Sequence, residues 1–363
     1  MTNLEALIIL NALSLGPKKI IALWKYFSSF NRIFDERERD LLGLKILTPL
    51  QVSLIKKWNT SFNIKEELIL IKKEGVNLIP FYDQKYPERL KMIYDPPPLL
   101  YTKGLLTCDK SNAFAVVGSR RATIYGTMTS YTISYELAQR GITIVSGVAR
   151  GIDRSAHKGA LDARGSSIGV LGNGIAVIYP AENKDLYNQL AEQGLLISEF
   201  SMRTKPYRYN FPRRNRLLSA LSLGVLVVEA TQKSGSLLTV QFALEQGRSV
   251  FAVPGKIDSP LSAGPHGLIK DGACLVTCAD DITVEIREFH DLKKKDTDQG
   301  AFSIEECSVV EKKVYTVIRR EPISIDSIVI ESGLRLSDVV NTVMSLQLKK
   351  IICELPGKRF IRA

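Results

Sequence analysis

The sequence predicts an α/β protein: an extended Rossmann-like parallel sheet, with an N-terminal helical part of SAM/helix-hairpin-helix-like character and a C-terminal winged-helix arrangement. Three observations carry this. From Phe114 onward, short apolar runs of strand character alternate with helical stretches, the pattern of a parallel sheet covered on both faces. The first run feeds the turn Gly118-Ser119-Arg120-Arg121 and a helical pattern follows at once, as in the opening unit of a dinucleotide-type sheet. Near the end, residues 308–363 read as three helices followed by a hairpin.

With 363 residues, 45% of them hydrophobic and 24% charged, the chain can bury a sizeable core and form two or three domains. Its net charge of +11 favours a polyanionic partner, although a basic balance also fits a merely soluble surface. The cysteines Cys108, Cys274, Cys278, Cys307 and Cys353 contain no CxxC pair, and their odd number argues against a disulfide framework. Cys274 and Cys278, with only His266 nearby in sequence, read as small buried residues rather than metal ligands. Met1-Thr2-Asn3-Leu4-Glu5 carries no basic leader, and no apolar run reaches membrane-spanning length. The expectation is a cytoplasmic protein with no membrane partner.

Residues 1–80 place Leu7, Leu10, Leu13, Ile20, Ile21 and Leu23 on helical spacing around the break Ser14-Leu15-Gly16-Pro17, with Lys18 and Lys19 directly after it. Helix-hairpin-helix modules use such hairpin amides and cations on DNA phosphates. A small helical bundle with a solvated basic edge explains the pattern equally well. Pro96-Pro97-Pro98 forces an extended segment. The junction falls before it, so residues 81–290 form the sheet domain.

Strands are expected at Phe114–Val117, Ile142–Val145, Ser167–Leu171, Leu195–Ser198, Val225–Val228 and Val250–Val253, with Leu275-Val276 extending the sheet. Ligands of open α/β sheets sit at the carboxyl ends of the strands, so the loops there are the candidate site. In the first, small residues bare backbone amides, the next helix aims its positive end at an anion, and Arg120 and Arg121 add charge-assisted donors. In the second, Ser146-Gly147-Val148-Ala149-Arg150-Gly151, the glycines serve either anion contact or tight turning. His157, on the helix after it, reads as a packed or hydrogen-bonded residue rather than a catalyst. Gly172-Asn173-Gly174 and Tyr179-Pro180 read as turn chemistry that could also face a cleft.

The fourth loop, Glu199 to Arg216, interleaves cations and aromatics without periodicity, as where bases stack on rings and a phosphate backbone follows arginines. Phe211 is a stacking candidate or a staple under the helix that Pro212 begins. Arg213, Arg214 and Arg216 then oppose the helix dipole, which calls for an anion, external or internal, with Glu199 an internal choice. Ser234-Gly235-Ser236 is a second anion cradle, or Ser236 is a plain N-cap. Residues 291–305 are charged and apolar-poor, hence a linker. In 306–363 the third helix offers few cations before Lys349 and Lys350, so docking of a partner or regulation competes with DNA contact.

Taken together, these residues resemble the DNA-processing protein A family (DprA, also called Smf) of bacterial transformation. The resemblance runs through Asp95-Pro96-Pro97-Pro98, Val117-Gly118-Ser119-Arg120, Ser146-Gly147, Arg150-Gly151-Ile152-Asp153, Ala156-His157, Tyr179-Pro180, Ser198-Glu199, Phe211-Pro212-Arg213-Arg214-Asn215-Arg216, Ser234-Gly235-Ser236-Leu237-Leu238-Thr239 and Val253-Pro254-Gly255. It implies an extended Rossmann domain that binds single-stranded DNA, dimerises and loads RecA. The strand-binding pocket it implies falls on Gly118, Ser119, Arg120, Ser146, Gly147, Arg208, Phe211, Asn215 and Arg216. Arg208 stands where some members have lysine; both neutralise a phosphate, with different geometry.

The rival class is a Rossmann-like nucleotide hydrolase or a nuclease. Lysine-decarboxylase-like hydrolases place a glutamate three residues after a PGGxGT turn; the similar turn here ends at Thr239, and three residues on stands Phe242. The first turn is not GxGxxG, and the second strand ends in Ser146 without a ribose-binding acid. The sequence therefore points to a non-enzymatic single-stranded DNA-binding recombination mediator without a cofactor, with a nucleotide hydrolase or nuclease as the alternative, and the resemblance implies that it acts with RecA as a homodimer.

Overall fold

A computed structural model describes residues 1–105, 112–290, 292, 307–319, 322–349, 351–355 and 358–362. Apart from Leu292, the linker expected at 291–305 lies outside the described residues. The chain divides into two compact units, Met1–Lys295 and Asp296–Ala363.

The first unit is built on a sheet of nine strands among the described residues: β1 (Asn77–Pro80), β2 (Leu99–Gly104), β3 (Ala113–Val117), β4 (Thr143–Ser146), β5 (Ser167–Val170), β6 (Leu195–Ser198), β7 (Gly224–Val227), β8 (Ser249–Ala252) and β9 (Cys274–Leu275). Their spatial order is β1-β2-β6-β5-β4-β3-β7-β8-β9. The block from β6 across to β9 is parallel throughout. The sheet is nevertheless mixed, because β2 pairs antiparallel with β6 and β1 antiparallel with β2. Antiparallel neighbours need no crossover helix, and the connection between β1 and β2 supplies only the single turn Glu88–Lys91. The sheet thus begins inside the segment read from sequence as helical.

Both faces of the parallel block are covered, which is why its strands read as unbroken apolar runs. On β3 the alternation is plain: Phe114 and Val116 join one core with Ile133, Leu137 and Ala156, while Ala115 and Val117 join another with Leu217, Leu218 and Val240. The helices Ile124–Gln139 and Ile152–Asp162 therefore lie on one face, and Asn210–Ala220 and Ser236–Glu245 on the other.

The N-terminal helices, from Asn3–Ala12 and Pro17–Phe27 through Ile64–Lys73, share their core with the sheet. Leu7, Leu10, Ile20 and Leu23 pack in one cluster with Tyr101, Leu171, Leu190 and Leu196. Two hydrogen bonds fasten the layer: Asn11 Nδ2 donates to the Glu199 carbonyl at 3.0 Å, and the Met202 amide donates to Glu67 Oε1 at 2.9 Å. The hairpin at Gly16 (φ +92°) is closed by Gln51, which donates to the Leu15 carbonyl and accepts from Lys19. Lys18 lies over the ring of Tyr94. Both hairpin lysines thus have partners within the unit. Among the described residues, no helix is long and apolar enough to cross a membrane.

The second unit has helices Val309–Val317, Ile325–Ser332 and Leu336–Leu348 with strands β10 (Ile323–Ser324), β11 (Ile352–Leu355) and β12 (Arg359–Arg362), paired antiparallel in the order β10-β12-β11. Val314, Ile328, Val339, Val343 and Phe360 form its core. The two-residue β10 has no counterpart in the sequence reading, being too short to leave a periodic signal. Lys349, after the third helix, is held at 2.7 and 2.9 Å by both carboxylate oxygens of Glu311. With Ser345 and the Ser308 amide, it lowers the Glu311 carboxyl to about 2. The exposed side of that third helix carries Leu336, Val340 and Met344.

If the helical layer and the sheet share one core, Leu10→Ala should destabilise the whole Met1–Lys295 unit. Deleting a fully buried leucine to its Cβ costs about 2–5 kcal/mol. Urea denaturation read by far-ultraviolet circular dichroism should show a lower midpoint for the sheet signal as well as the helix signal; an unchanged sheet transition would contradict the shared core.

Candidate functional site

Strand order reverses between β3 and β7, the crevice where ligands of open α/β sheets bind. Here the crevice is partly filled by the protein itself. Glu229, two residues beyond β7 and 4% exposed, accepts from the Ser119 amide through its carbonyl at 2.7 Å. Its carboxylate accepts from the Thr123 amide at 2.8 Å and the Thr123 hydroxyl at 2.5 Å. Thr123 in turn caps the Ile124–Gln139 helix by accepting from the Gly126 amide. A Cβ on Gly126 would lie 2.4 Å from the Glu229 carboxyl carbon, so this glycine makes room for the acid. The positive helix end that the sequence reading gave to an external phosphate thus holds an internal carboxylate. Gly118 is a packing position, its would-be Cβ 2.7 Å from Ile152. What the turn presents outward is Arg120 and Arg121, both exposed.

Beside this turn lies a cleft of about 260 Å³, bounded by Arg120, Arg121, Arg150, Tyr179 and Phe211 and floored by Gly147 and Gly172. The guanidinium of Arg120 stands 5.0 Å from the Phe211 ring centre, and the Tyr179 ring lies 5.7 Å from it at 41°. Gly172 admits the ring, since a Cβ there would lie 2.7 Å from Phe211 Cδ1. Phe211 is half-buried, so it both packs and faces the cleft. The loop after β5 therefore contributes more than sequence reasoning granted it. Its signal was the same as elsewhere, a glycine turn directly after a strand.

The floor is set from beneath by Arg214, 4% exposed. Its Nη1 donates to the Gly147 carbonyl at 2.8 Å and to the Val170 carbonyl, and its Nε to Asn215 Oδ1 at 3.2 Å. One side chain thereby ties the ends of β4 and β5 to the Asn210–Ala220 helix. A Cβ on Gly147 would lie 2.5 Å from the guanidinium and 2.6 Å from Asp153 Oδ2. Burial lowers the Arg214 pKa to about 10, with Asp153 opposing the shift, so the group stays charged at neutral pH. Burial also raises the Asp153 carboxyl, against the pull of Arg214. Ser146 is buried and donates to the Val116 carbonyl at 2.6 Å, stitching β4 to β3. His157 Nδ1 is 2.8 Å from the Ser167 hydroxyl, and burial together with Arg214 lowers its pKa to about 3. It is a neutral packed residue, as its sequence context suggested.

The remaining arginines of the fourth loop separate into inner and outer groups. Arg216, 2% exposed, lies 2.5 Å from Glu199 Oε2 and 3.2 Å from Asp95 Oδ2, and donates to the Asp95 carbonyl at 2.7 Å. Arg213 reaches the same Glu199 oxygen at 3.0 Å and stacks over Phe200. The anion demanded by cations at this helix start is therefore Glu199, 1% exposed. Asn215 is buried and donates to the Gly235 carbonyl at 3.2 Å. Ser234 and Ser236 are joined hydroxyl to hydroxyl at 2.7 Å. The structure does not bring Arg213, Asn215, Arg216, Ser234, Gly235 or Ser236 into the cleft. Arg208 is exposed, between Tyr207 and Tyr209. Arg150 faces the cleft and pairs with Glu182 at the surface.

The family profile, the curated relatives and two solved structures point to one family. A profile described as DNA recombination-mediator protein A matches residues 77–287. Protein Smf of Escherichia coli (strain K12) is 41% identical over 299 residues, 81% of this chain and 80% of that protein. DNA processing protein DprA of Bacillus subtilis (strain 168) is 44% identical over 222 residues, 61% of this chain and 75% of that one. The X-ray structure of DNA processing protein A from Streptococcus pneumoniae matches with a TM-score of 0.69 and 34% identity, covering 79% of this chain and 99% of that one. A structure of DNA processing protein A from Helicobacter pylori, described for its single-stranded DNA binding mode, matches with a TM-score of 0.52 and 29% identity over 57% of this chain and 93% of that one.

The buried histidine makes a prediction about stability. Its folded pKa lies below its ordinary value of 6.5, so its contribution is complete above that pH and is lost as pH falls from there towards 3. Between pH 7 and 5 the loss is about 2 kcal/mol. Urea midpoints across this range should fall more steeply for the native protein than for His157→Gln; equal slopes would show that His157 is not held neutral.

Proposed function

The chain belongs to the DNA recombination-mediator protein A family, and from that premise we propose that its cleft binds single-stranded DNA as a recombination mediator in natural transformation. The observation that carries this is the meeting of three exposed guanidiniums, Arg120, Arg121 and Arg150, with the open part of the Phe211 ring in one cleft at the carboxyl edge of the sheet. A single strand offers both groups a partner, phosphates for the cations and an unstacked base for the ring. A duplex hides its base faces. The likeness to the Helicobacter pylori protein described by its single-stranded DNA binding mode supports the same reading.

In this reading Arg120, Arg121, Arg150 and Arg208 neutralise phosphates, and Phe211 stacks on a base. Gly147, in the lining of the cleft, allows close approach, while Gly118 and Ser119 hold the turn that carries Arg120 and Arg121. Ser146 acts from below by joining β4 to β3, Arg213 and Arg216 by fixing the start of the Phe211 helix on Glu199, and Asn215 by tying that helix to Gly235. Ser234, Gly235 and Ser236, tied to the same helix through Asn215, give a second phosphate contact at the neighbouring strand end. The sheet region, 81–290, carries the binding; 1–80 and 306–363 are accessory, and 291–305 links them. The C-terminal unit, with its helices and antiparallel strands, reads as winged-helix-like. Because Lys349 is engaged by Glu311 while Leu336, Val340 and Met344 are exposed, this unit suits a protein partner better than DNA. The protein protects incoming strands in the cytoplasm, loads RecA on them, and works as a homodimer through the Rossmann-like unit.

The rival reading, a nucleotide hydrolase, is disfavoured by the same geometry. The acid at the switch point, Glu229, is committed to holding Thr123, the cap of a helix, and His157 is buried and neutral. We therefore read the protein as a binder, not an enzyme.

Titration with fluorescent oligonucleotides at several salt concentrations tests this. Single strands should bind more tightly than duplex of equal length. Arg120→Ala should flatten the dependence of log affinity on log salt by about 0.7, one phosphate's share for a single strand. Phe211→Ala should lose about 1–3 kcal/mol with the salt slope unchanged. Equal affinity for duplex, or turnover of a free nucleotide, would overturn the reading.

A further inference from the structure

Outside the cleft, four and two residues before Phe211 in sequence, the chain displays a feature that neither the core nor the cleft uses. Tyr207 and Tyr209 lie ring on ring, with centres 5.4 Å apart and planes within 7° of parallel, and they are 46% and 71% exposed. The other parallel aromatic pairs among the described residues are tied down through a hydroxyl. Tyr82, stacked on Trp24, is 3.4 Å from Asn3 Nδ2, and Tyr131, stacked on Tyr135, donates to Asp162 at 2.9 Å. Neither Tyr207 nor Tyr209 has such a partner among the described residues.

Resting on the reading of the cleft given above, we propose that Tyr207 and Tyr209 form a second base-stacking platform, which extends the single-stranded DNA path beyond Phe211. Two residues of chain reach at most about 7 Å, so the platform stands beside the cleft rather than on a remote surface. Its backbone is fixed before any ligand arrives. The Tyr207 amide donates to the Lys205 carbonyl at 2.8 Å, the Asn210 amide to the Tyr207 carbonyl at 3.0 Å, and the buried Asn210 side chain to the Lys205 carbonyl at 3.3 Å. Two rings already stacked on each other lose little freedom when a base joins the pile, and both residues are exposed. Arg208, exposed between them in sequence, supplies the cation that a phosphate beside a stacked base requires. Because every base has a π face, such a platform is indifferent to sequence and sensitive to length.

Length is therefore the variable to test. Native protein, Tyr207→Ala/Tyr209→Ala, Tyr207→Phe/Tyr209→Phe and Phe211→Ala would be titrated with oligothymidylates of increasing length at one salt concentration, with thermal midpoints as a control for folding. The double alanine variant should match native protein on the shortest oligonucleotide that binds, and fall behind by about tenfold or more once the strand is long enough to leave the cleft. The double phenylalanine variant should follow native protein at every length, since ring faces rather than hydroxyls make the contact. An alanine variant equal to native protein at all lengths, or weakened equally at all lengths, overturns the platform. The two readings fail separately. If native protein binds no single strand, the function proposed above is wrong; if it binds, and only Phe211→Ala weakens it, the cleft stands and the platform does not.

Discussion

The arrangement depends on a charge that the protein supplies to itself. In a nucleotide-binding sheet the first helix offers its positive end to a ligand phosphate; here the Glu229 carboxylate takes that place, bonded to both the amide and the hydroxyl of Thr123. The turn between β3 and the helix is then anchored at both ends, at Ser119 through the Glu229 carbonyl and at Thr123 through its carboxylate. Arg120 and Arg121 project from a loop that does not have to order itself on binding. The same substitution turns a cradle for one small anion into the rim of a groove.

Two further buried centres repeat the principle. Arg214 spans the ends of β4 and β5 above Asp153, and Glu199 gathers Arg213 and Arg216. Each buried charge meets internal partners, as desolvation requires, and removing one member would leave its counterpart stranded at a cost of about 3–5 kcal/mol. The division of labour among the arginines follows from this. Those under the loops set the shape of the groove, and those on the loops give it its potential.

How much of this the sequence revealed depends on the range of the interactions involved. Ser167–Val170 and Leu195–Ser198 were legible because a strand buried on both faces must be apolar throughout, and their loops followed from them. The pairing of β2 with β6 joins residues about a hundred positions apart and leaves no local trace. In the site, Arg120, Gly147 and Phe211 were legible as turn and loop positions after strands. The inward course of Arg216 was not, since an arginine's direction is decided by an acid elsewhere, here Glu199 and Asp95. Glu229 escaped notice for the same reason: beside its strand it looks like any loop acid, and only Thr123, 106 positions earlier, reveals its role.

The helical layer has a practical consequence for anyone who trims this chain. Judged by motif alone, the working part begins near β1, and the preceding helices contribute no residue to the lining of the cleft. Judged by packing, they cover Tyr101, Leu171 and Leu196, none more than 2% exposed. A recombinant fragment that starts at the sheet would turn this apolar face to water, and such faces adhere to one another. The smallest piece of the protein that stays dispersed in a tube is therefore set by helices that take no part in forming the groove.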